Sequence, residues 1–535
     1  MILKTYSTSL ILFLITCFFL ASCKTTAQTK TTYNLVTDFG AVGDDKTNNY
    51  QAFKKAAEVL SGQRNKTLII PKGQYYIADY KIMGGSKKNS ITDINFIRIN
   101  GLTILGNNST VRVNGKFTRT PDYKQVGVPY DYSYSNTVSP FTFAGCKNVT
   151  LKDITLNGGA DQMEKTGAMA EGISYGIMVL DHAEQVAENF YIMNVSTRLF
   201  ATDGIYLASK GSNFRLENIF CNRNGRQGLS IVKGKNITVI NSRFDSTGFT
   251  GKYGHHAPAA GIDIENEGNS EELDAVKILH CSFRHNMGFQ LISTAHSGRV
   301  NIDSCYFEDM KKGYANGFNG VGIYSRNSEI SNSIIYGMMQ LETAGETYRG
   351  NIPLSIKNNI IYSGVGGLLS TGYQTPMNIT GNILVMLPKP AAGEYFPFIR
   401  NSNADFSSNV IVMHEDKLTP QSNRITSLIQ NIKKTDNNLW LLSGPDNKSL
   451  KRSSRSEKEY YIISYDGTKD RGRQYFPDNI KANVTKTPEK LFLNDIFIER
   501  LFQNKIFTSY DQYKFDKSLL KEAAVIRDLL IRKMK

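Results

Sequence analysis

The segment "APAAGIDIENEGN", residues 257–269, sets Asp263 and Glu265 two apart between isoleucines, with Asn266 and Glu267 directly after them. An extended strand repeats every two residues, so both acids share one face while Ile262 and Ile264 share the other. Carboxylates so spaced lie about 6.5 to 7 Å apart, inside the window of about 6.5 to 9.5 Å that an inverting glycoside hydrolase needs for its acid, base and water. With Glu267 they can also hold Ca2+ through oxygen ligands. The plain alternative is a polar surface. Flanking segments add complementary groups: "STGFTGKYGHHAPAA" carries Lys252, Tyr253, His255 and His256, "NRNGRQGLSIVKG" carries Arg223, Arg226 and Lys233, and "RHNMGFQ" carries Arg284, His285 and Gln290. Such a set also suits β-elimination from a uronic acid. There Ca2+, Arg or Gln neutralises the carboxylate while Tyr, Lys, His or Arg takes the neighbouring proton.

These residues need a scaffold that stacks short strands, and the sequence repeats like one. The pattern apolar-x-apolar-x-Asn gives "FYIMN" from Phe190, "FRLEN" from Phe214 and "ITVIN" from Ile237, at steps of 24 and 23 residues. "VKILH" from Val276 and "VNIDS" from Val300 continue it, and "ISNSII", "IKNNII", "ITGNIL" and "FSSNVI" carry it to about residue 411. A period in the twenties with two-residue alternation predicts a solenoid of strands. A second ladder precedes the first in each coil: "GIMV" at 176, "GIYL" at 204, "GLSI" at 228, "GIDI" at 261, "GFQL" at 288 and "GIYS" at 322. Its inward residues include Ile205, Leu229, Ile262 and Leu291. Its outward column reads Met178, Tyr206, Ser230, Asp263, Gln290, Tyr324, with neighbours one strand spacing (~4.8 Å) apart. The catalytic candidates are thus Asp263, Glu265, Arg226, His256 and Tyr206. Gln290, Ser230, Lys233 and His285 are the substrate-binding candidates, and Asp263, Glu265 and Glu267 the ligands for Ca2+.

"VTDFGAVGDDKTNNYQAFKKAAEVL" followed by "TLIIPKGQYYI" resembles the opening of the pectate-lyase-like superfamily. The resemblance implies an all-β, right-handed parallel β-helix over about residues 33–411, entered through a capping helix and a "P-x-G-x-Y" turn. The residues agree: Phe53, Ala56, Ala57 and Leu60 form one apolar helical face, Thr47 or Asn48 can cap its start and Gly62 can end it. The superfamily includes lyases, glycosidases, epimerases and tailspikes, so it leaves the reaction open. The Asn-Thr-Asp, Gly-Asp-Asp and Gly-His-Gly series of its pectin glycosidases is missing, as is the Tyr-Gly-x-Asp-Pro-His segment of alginate epimerases.

Lys4 and the apolar run "SLILFLITCFFL", followed by Leu20-Ala21-Ser22-Cys23, resemble a bacterial lipoprotein signal. Residues 1–22 are then a signal peptide, Cys23 the lipidated terminus, residues 23–32 a tether, and the location the cell envelope, at the outer membrane or cell surface. Cys146, Cys221, Cys281 and Cys305 remain. With no C-x-x-C they predict neither a disulfide framework nor a structural zinc site, and Cys281 and Cys305 read as stacked inward thiols. The net charge of +15 favours a polyanionic partner, and export makes that an acidic polysaccharide rather than nucleic acid. Residues 412–535 are lysine-rich and read as a mixed C-terminal cap or accessory region on a monomer, with helices near Thr487 and over Leu519 to Leu530. These readings favour an exported lyase or terminal dehydratase on a uronate-containing polysaccharide. An inverting hydrolase is the alternative, and a non-catalytic glycan-binding β-helix the second.

Overall fold

The computed structural model describes residues 30–78, 94–113, 139–162, 174–249, 257–266, 272–294, 297–308, 320–325, 327–341, 354–363, 369–370, 376–386, 399–400, 404–414, 429–430, 434–436, 439–443, 460–464 and 483–485. Cys23, His255, His256, Glu267 and the expected C-terminal helices lie outside them. Among the described residues no helix is long and apolar enough to cross a membrane.

The strands stack coil on coil into three parallel faces. The first face runs through Phe141–Ala144, Ile177–Leu180, the starts of Asp203–Glu217 and Gln227–Ile240, Ala260–Ile264, Leu291–Ser293 and Val321–Ile323. The second takes the rest of those two long strands, followed by Leu273–Leu279 and Val300–Asp303. The third holds Phe220–Asn222, Arg243–Asp245, Ser282–Arg284, Tyr306–Glu308 and Ile334–Tyr336. Pairing within each face is parallel, from each coil to the next, which makes the chain a parallel β-helix.

The second face follows the sequence repeat residue for residue. Phe190 pairs with Phe214, Phe214 with Ile237, Ile237 with Val276 and Val276 with Val300. The fifth position of each repeat turns the corner. Asn194, Asn218, Asn241, His280 and Ser304 take φ between 52° and 54°, as Asn332 and Asn358 do at 50° and 56°. Asn enters this left-handed region at low cost, which explains its recurrence. Outside, a ladder of amides crosses coils: Asn148 donates to Asn100, Asn189 to Asn148 and Asn213 to Asn189, at 2.8, 3.0 and 2.9 Å. Inside, the stack Phe244, Phe283, Phe307 fills the third face, with ring centroids 5.2 and 4.7 Å apart. All four described cysteines are free and buried, and Cys281 N–H lies 3.4 Å from Cys305 Sγ, as the stack of inward thiols required.

The helix Tyr50–Leu60 buries Phe53, Ala56, Ala57 and Leu60, as its pattern required, and Phe53 meets Phe141 edge-on at 6.2 Å. The residue at its N-terminal cap is Asn49 rather than Thr47 or Asn48, though Asn48 Oδ1 accepts the Tyr50 N–H at 3.1 Å, and Gly62 follows the capping Ser61 at φ 73°. At the other end the parallel pairing continues past residue 411, joining Val410–His414 to Leu439–Ser443. Tyr460–Ser464 and Asn483–Thr485 then add as antiparallel strands.

The glycines of the first-face ladder have a steric cause. A Cβ on Gly176 would lie 2.5 Å from Gly204 O, on Gly204 2.6 Å from Gly228 O, on Gly228 2.4 Å from Gly261 O and on Gly261 2.5 Å from Gln290 O. Gly228→Ala should therefore destabilise the fold by about 1 to 3 kcal/mol through a forced backbone shift, measurable as a lowered urea midpoint.

Candidate functional site

The first face carries a polar network built on a diagonal rule. On three consecutive coils the residue before the ladder glycine touches the residue two after the glycine of the following coil. Tyr175 stacks on Tyr206 with ring centroids 5.2 Å apart. Asp203 Oδ2 accepts the Ser230 hydroxyl at 2.9 Å. Gln227 Nε2 donates to Asp263 Oδ2 at 2.7 Å. Register explains the reach: Tyr206 pairs with Met178 and Ser230, and Ser230 with Asp263. Arg226 grips Asp203 in a fork, Nε to Oδ1 at 2.9 Å and Nη2 to Oδ2 at 2.6 Å. Its side chain is 14% exposed over a fully buried Asp203 carboxylate. Such bidentate, charge-assisted pairs fix geometry as well as charge.

The structure thus brings Tyr206, Arg226, Ser230 and Asp263 together as the sequence suggested, and adds Asp203, Gln227 and Tyr175. These three precede the glycines, outside the Gly-apolar-x-apolar repeat that marks the ladder in the sequence. The position just before each glycine, occupied by Tyr175, Asp203, Gln227 and Ala260, was a column in plain view.

Four expected placements change. Gln290 does not stand above Asp263, because Ile292 pairs there. Gly288 lies outside the glycine ladder, so Gln290 sits level with Gly261. It is fully buried, accepting from Asn286 Nδ2 at 2.8 Å. The same slip moves Tyr324 out of the column, where Gly322 pairs with Ile292. Glu265 lies one residue past the end of Ala260–Ile264 and is exposed, whereas Asp263 is 5% exposed, so the two acids do not share a strand environment. Lys233 is drawn to Glu272, 3.3 Å away, with Lys210 on the same carboxylate at 2.8 Å. Ca2+ wants six or more oxygens. Asp263 Oδ2 is already committed to Gln227 and Glu265 lies past the end of its strand, so these two do not fit a shared Ca2+ centre, while Glu267 lies outside the described residues.

His285 joins a second cluster, on the third face. Asp245, Arg284 and Glu308 occupy successive coils of one outward column, at 2, 7 and 9% exposure. Arg243 is ion-paired with Asp245. Tyr306 donates to Glu308 at 2.9 Å, and the Arg284 guanidinium lies 5.3 Å from the Tyr306 ring centre. Asp245 Oδ1 has no hydrogen-bond partner among the described residues. Burial pushes the Asp245 carboxyl up from 3.8 to about 6, against the opposing pull of Arg243, Arg284 and His285. Burial foremost, then Glu308, likewise raises the Tyr306 hydroxyl.

Because Asp245 holds its proton more tightly folded than unfolded, its stabilising contribution is complete below about pH 4 and lost as pH rises through about 6. The stability of the wild type relative to Asp245→Asn should therefore fall by about 3 kcal/mol between pH 4 and pH 7, as read from urea unfolding at several pH values.

No protein-family model matches this chain, and no curated protein matches it in sequence. Solved structures do align with it. The A-module of an Azotobacter vinelandii mannuronan C-5 epimerase is 14% identical with TM-score 0.45, over 77% of this chain and 98% of that one. PfbA, a surface adhesin of Streptococcus pneumoniae, is 13% identical with TM-score 0.42, over 85% and 99%. Pectate lyase Pel9A is 17% identical with TM-score 0.34, over 72% and 81%. Likeness this distant says nothing about activity. The strand pairing gives the chain the parallel β-helix that its resemblance to the pectate-lyase-like superfamily implied.

Proposed function

We propose that this chain is an exported carbohydrate-active enzyme that performs β-elimination on a uronate-containing polysaccharide or its oligosaccharides. The observation that carries this reading is the first-face network, in which a forked Arg226–Asp203 pair stands in register with Tyr206, Ser230 and Asp263. Arg226 balances the charge that builds on the substrate carboxylate, and the Tyr175–Tyr206 pair offers a face to a pyranose ring. Asp263 accepts the C5 proton. The electron pair left at C5 forms the C4–C5 double bond as the C4–O bond breaks, and Asp263 passes the proton on to the departing oxygen, which leaves as a sugar hydroxyl or, at a chain end, as water. Inverting hydrolysis needs one protonated carboxyl. Asp203 and Asp263 each accept donated hydrogen bonds, the arrangement of carboxylates rather than proton donors, and this favours elimination.

Incubation with a panel of acidic polysaccharides and oligosaccharides tests the proposal. The absorbance of a conjugated, unsaturated uronate should rise, and Asp263→Asn and Arg226→Lys should each slow it by about two orders of magnitude. Reducing ends without that absorbance would establish hydrolysis instead, and saturable binding without either product a glycan-binding protein.

The same proposal anchors the chain in the cell envelope through a lipid on Cys23. Mass spectrometry of the mature terminus should find Cys23 acylated and residues 1–22 removed, and an unmodified terminus elsewhere would overturn the anchor.

A further inference from the structure

We propose that Gln227 is a positioning residue that holds Asp263 as a carboxylate and fixes which of its oxygens faces the coil below. The inference rests on the reading of Asp263 as the proton acceptor. Its support is geometric. An amide side chain can present either an acceptor or a donor, and the two look alike unless a neighbour decides. Here the backbone decides. Gln227 Oε1 accepts the Ala260 N–H at 2.9 Å, so the NH2 end is the one turned to Asp263 Oδ2, at 2.7 Å.

That NH2 can only donate, so the oxygen it meets must accept. A donated hydrogen bond favours the ionised form of a carboxyl group. Gln227 is 1% and Asp263 5% exposed, and in such a low-dielectric setting the bond is strong and an unmatched group costly. Ala260 opens the strand that carries Asp263, so one side chain reads the strand's backbone at its first residue and its carboxylate three residues on. The neighbouring coil uses the same diagonal with reversed polarity. Asp203, gripped by Arg226, accepts the hydrogen bond that the Ser230 hydroxyl donates, so Ser230 turns its hydroxyl hydrogen away from Asp263.

Gln227→Glu keeps the shape and the acceptor for Ala260 N–H but turns an oxygen toward Asp263. Two carboxyls at that distance share a proton rather than both ionising. Gln227→Met removes the donor without adding charge. The full chain, labelled with 13Cγ aspartate and assigned with Asp263→Asn, is titrated by NMR, and the pH dependence of turnover is measured in parallel. In Gln227→Glu the Asp263 titration and the acidic limb of the rate profile should both move up by about 1 to 2 pH units, and in Gln227→Met by about 1, while circular dichroism stays that of the wild type.

A purely structural glutamine would lower stability without moving either curve. An Asp263 titration that superimposes on the wild type in both variants overturns the proposal, whatever happens to the rate. If the titration moves but Asp263→Asn turns over substrate normally, Gln227 does control Asp263 and the assignment of Asp263 as proton acceptor is what fails.

Discussion

Each coil of this chain must return to within one backbone hydrogen bond of the coil beneath it, and that return dictates most of the sequence. Where the chain turns between the second and third faces it needs a left-handed residue, and Asn, His or Ser fills the place with φ near 50°. Where first-face backbones crowd together, only glycine fits, since an added Cβ would press on the carbonyl above. The alternating apolar residues then follow as the side chains that close the interior.

Because the spacing is set by the backbone, side chains outside the coils meet neighbours at fixed offsets. The diagonal from the pre-glycine residue to the residue two past the next glycine joins a ring pair, a hydroxyl–carboxylate pair and an amide–carboxylate pair on consecutive coils. The scaffold supplies the geometry, and the residue type at each end decides whether the contact stacks rings, orients a hydroxyl or holds a charge. A change at one diagonal leaves the others in register, which lets one face be composed coil by coil.

This also sets how much was legible in advance. The second-face repeat, the inward residues Ile205, Leu229, Ile262 and Leu291, the apolar face of the helix Tyr50–Leu60 and the inward stack of Cys281 and Cys305 follow from periodicity, because burial enforces them. Tyr206, Ser230 and Asp263 follow from the same register. Gln290 and Tyr324 do not, since the turn before Leu291 inserts residues and moves Gly288 out of step with Gly261. The gap between Asp263 and Glu265 depends on where a five-residue strand stops, which alternation does not encode. The third-face ladder of Asp245, Arg284 and Glu308 was hidden for another reason. Its members are 39 and 24 residues apart, so their alternating charges appear only once the coils are stacked.

The two polar faces make different use of burial. On the third face Asp245 is buried against Arg243 and Arg284 and still holds its proton up to about pH 6, so desolvation outweighs the attraction of its neighbours there. A buried ion pair is weak evidence for stability, because the desolvation cost can exceed the Coulombic gain. On the first face the same cost is met by fixed donors: a guanidinium and a hydroxyl on Asp203, an amide on Asp263. Those groups are oriented in advance, so charge developing beside them would meet dipoles that need not reorganise. A hydrophobic face would close the coils as well, and an exposed polar one would dissolve as well. What neither supplies is a set of charges held at fixed spacing out of water, and on this chain the first face supplies it with its donors already in place.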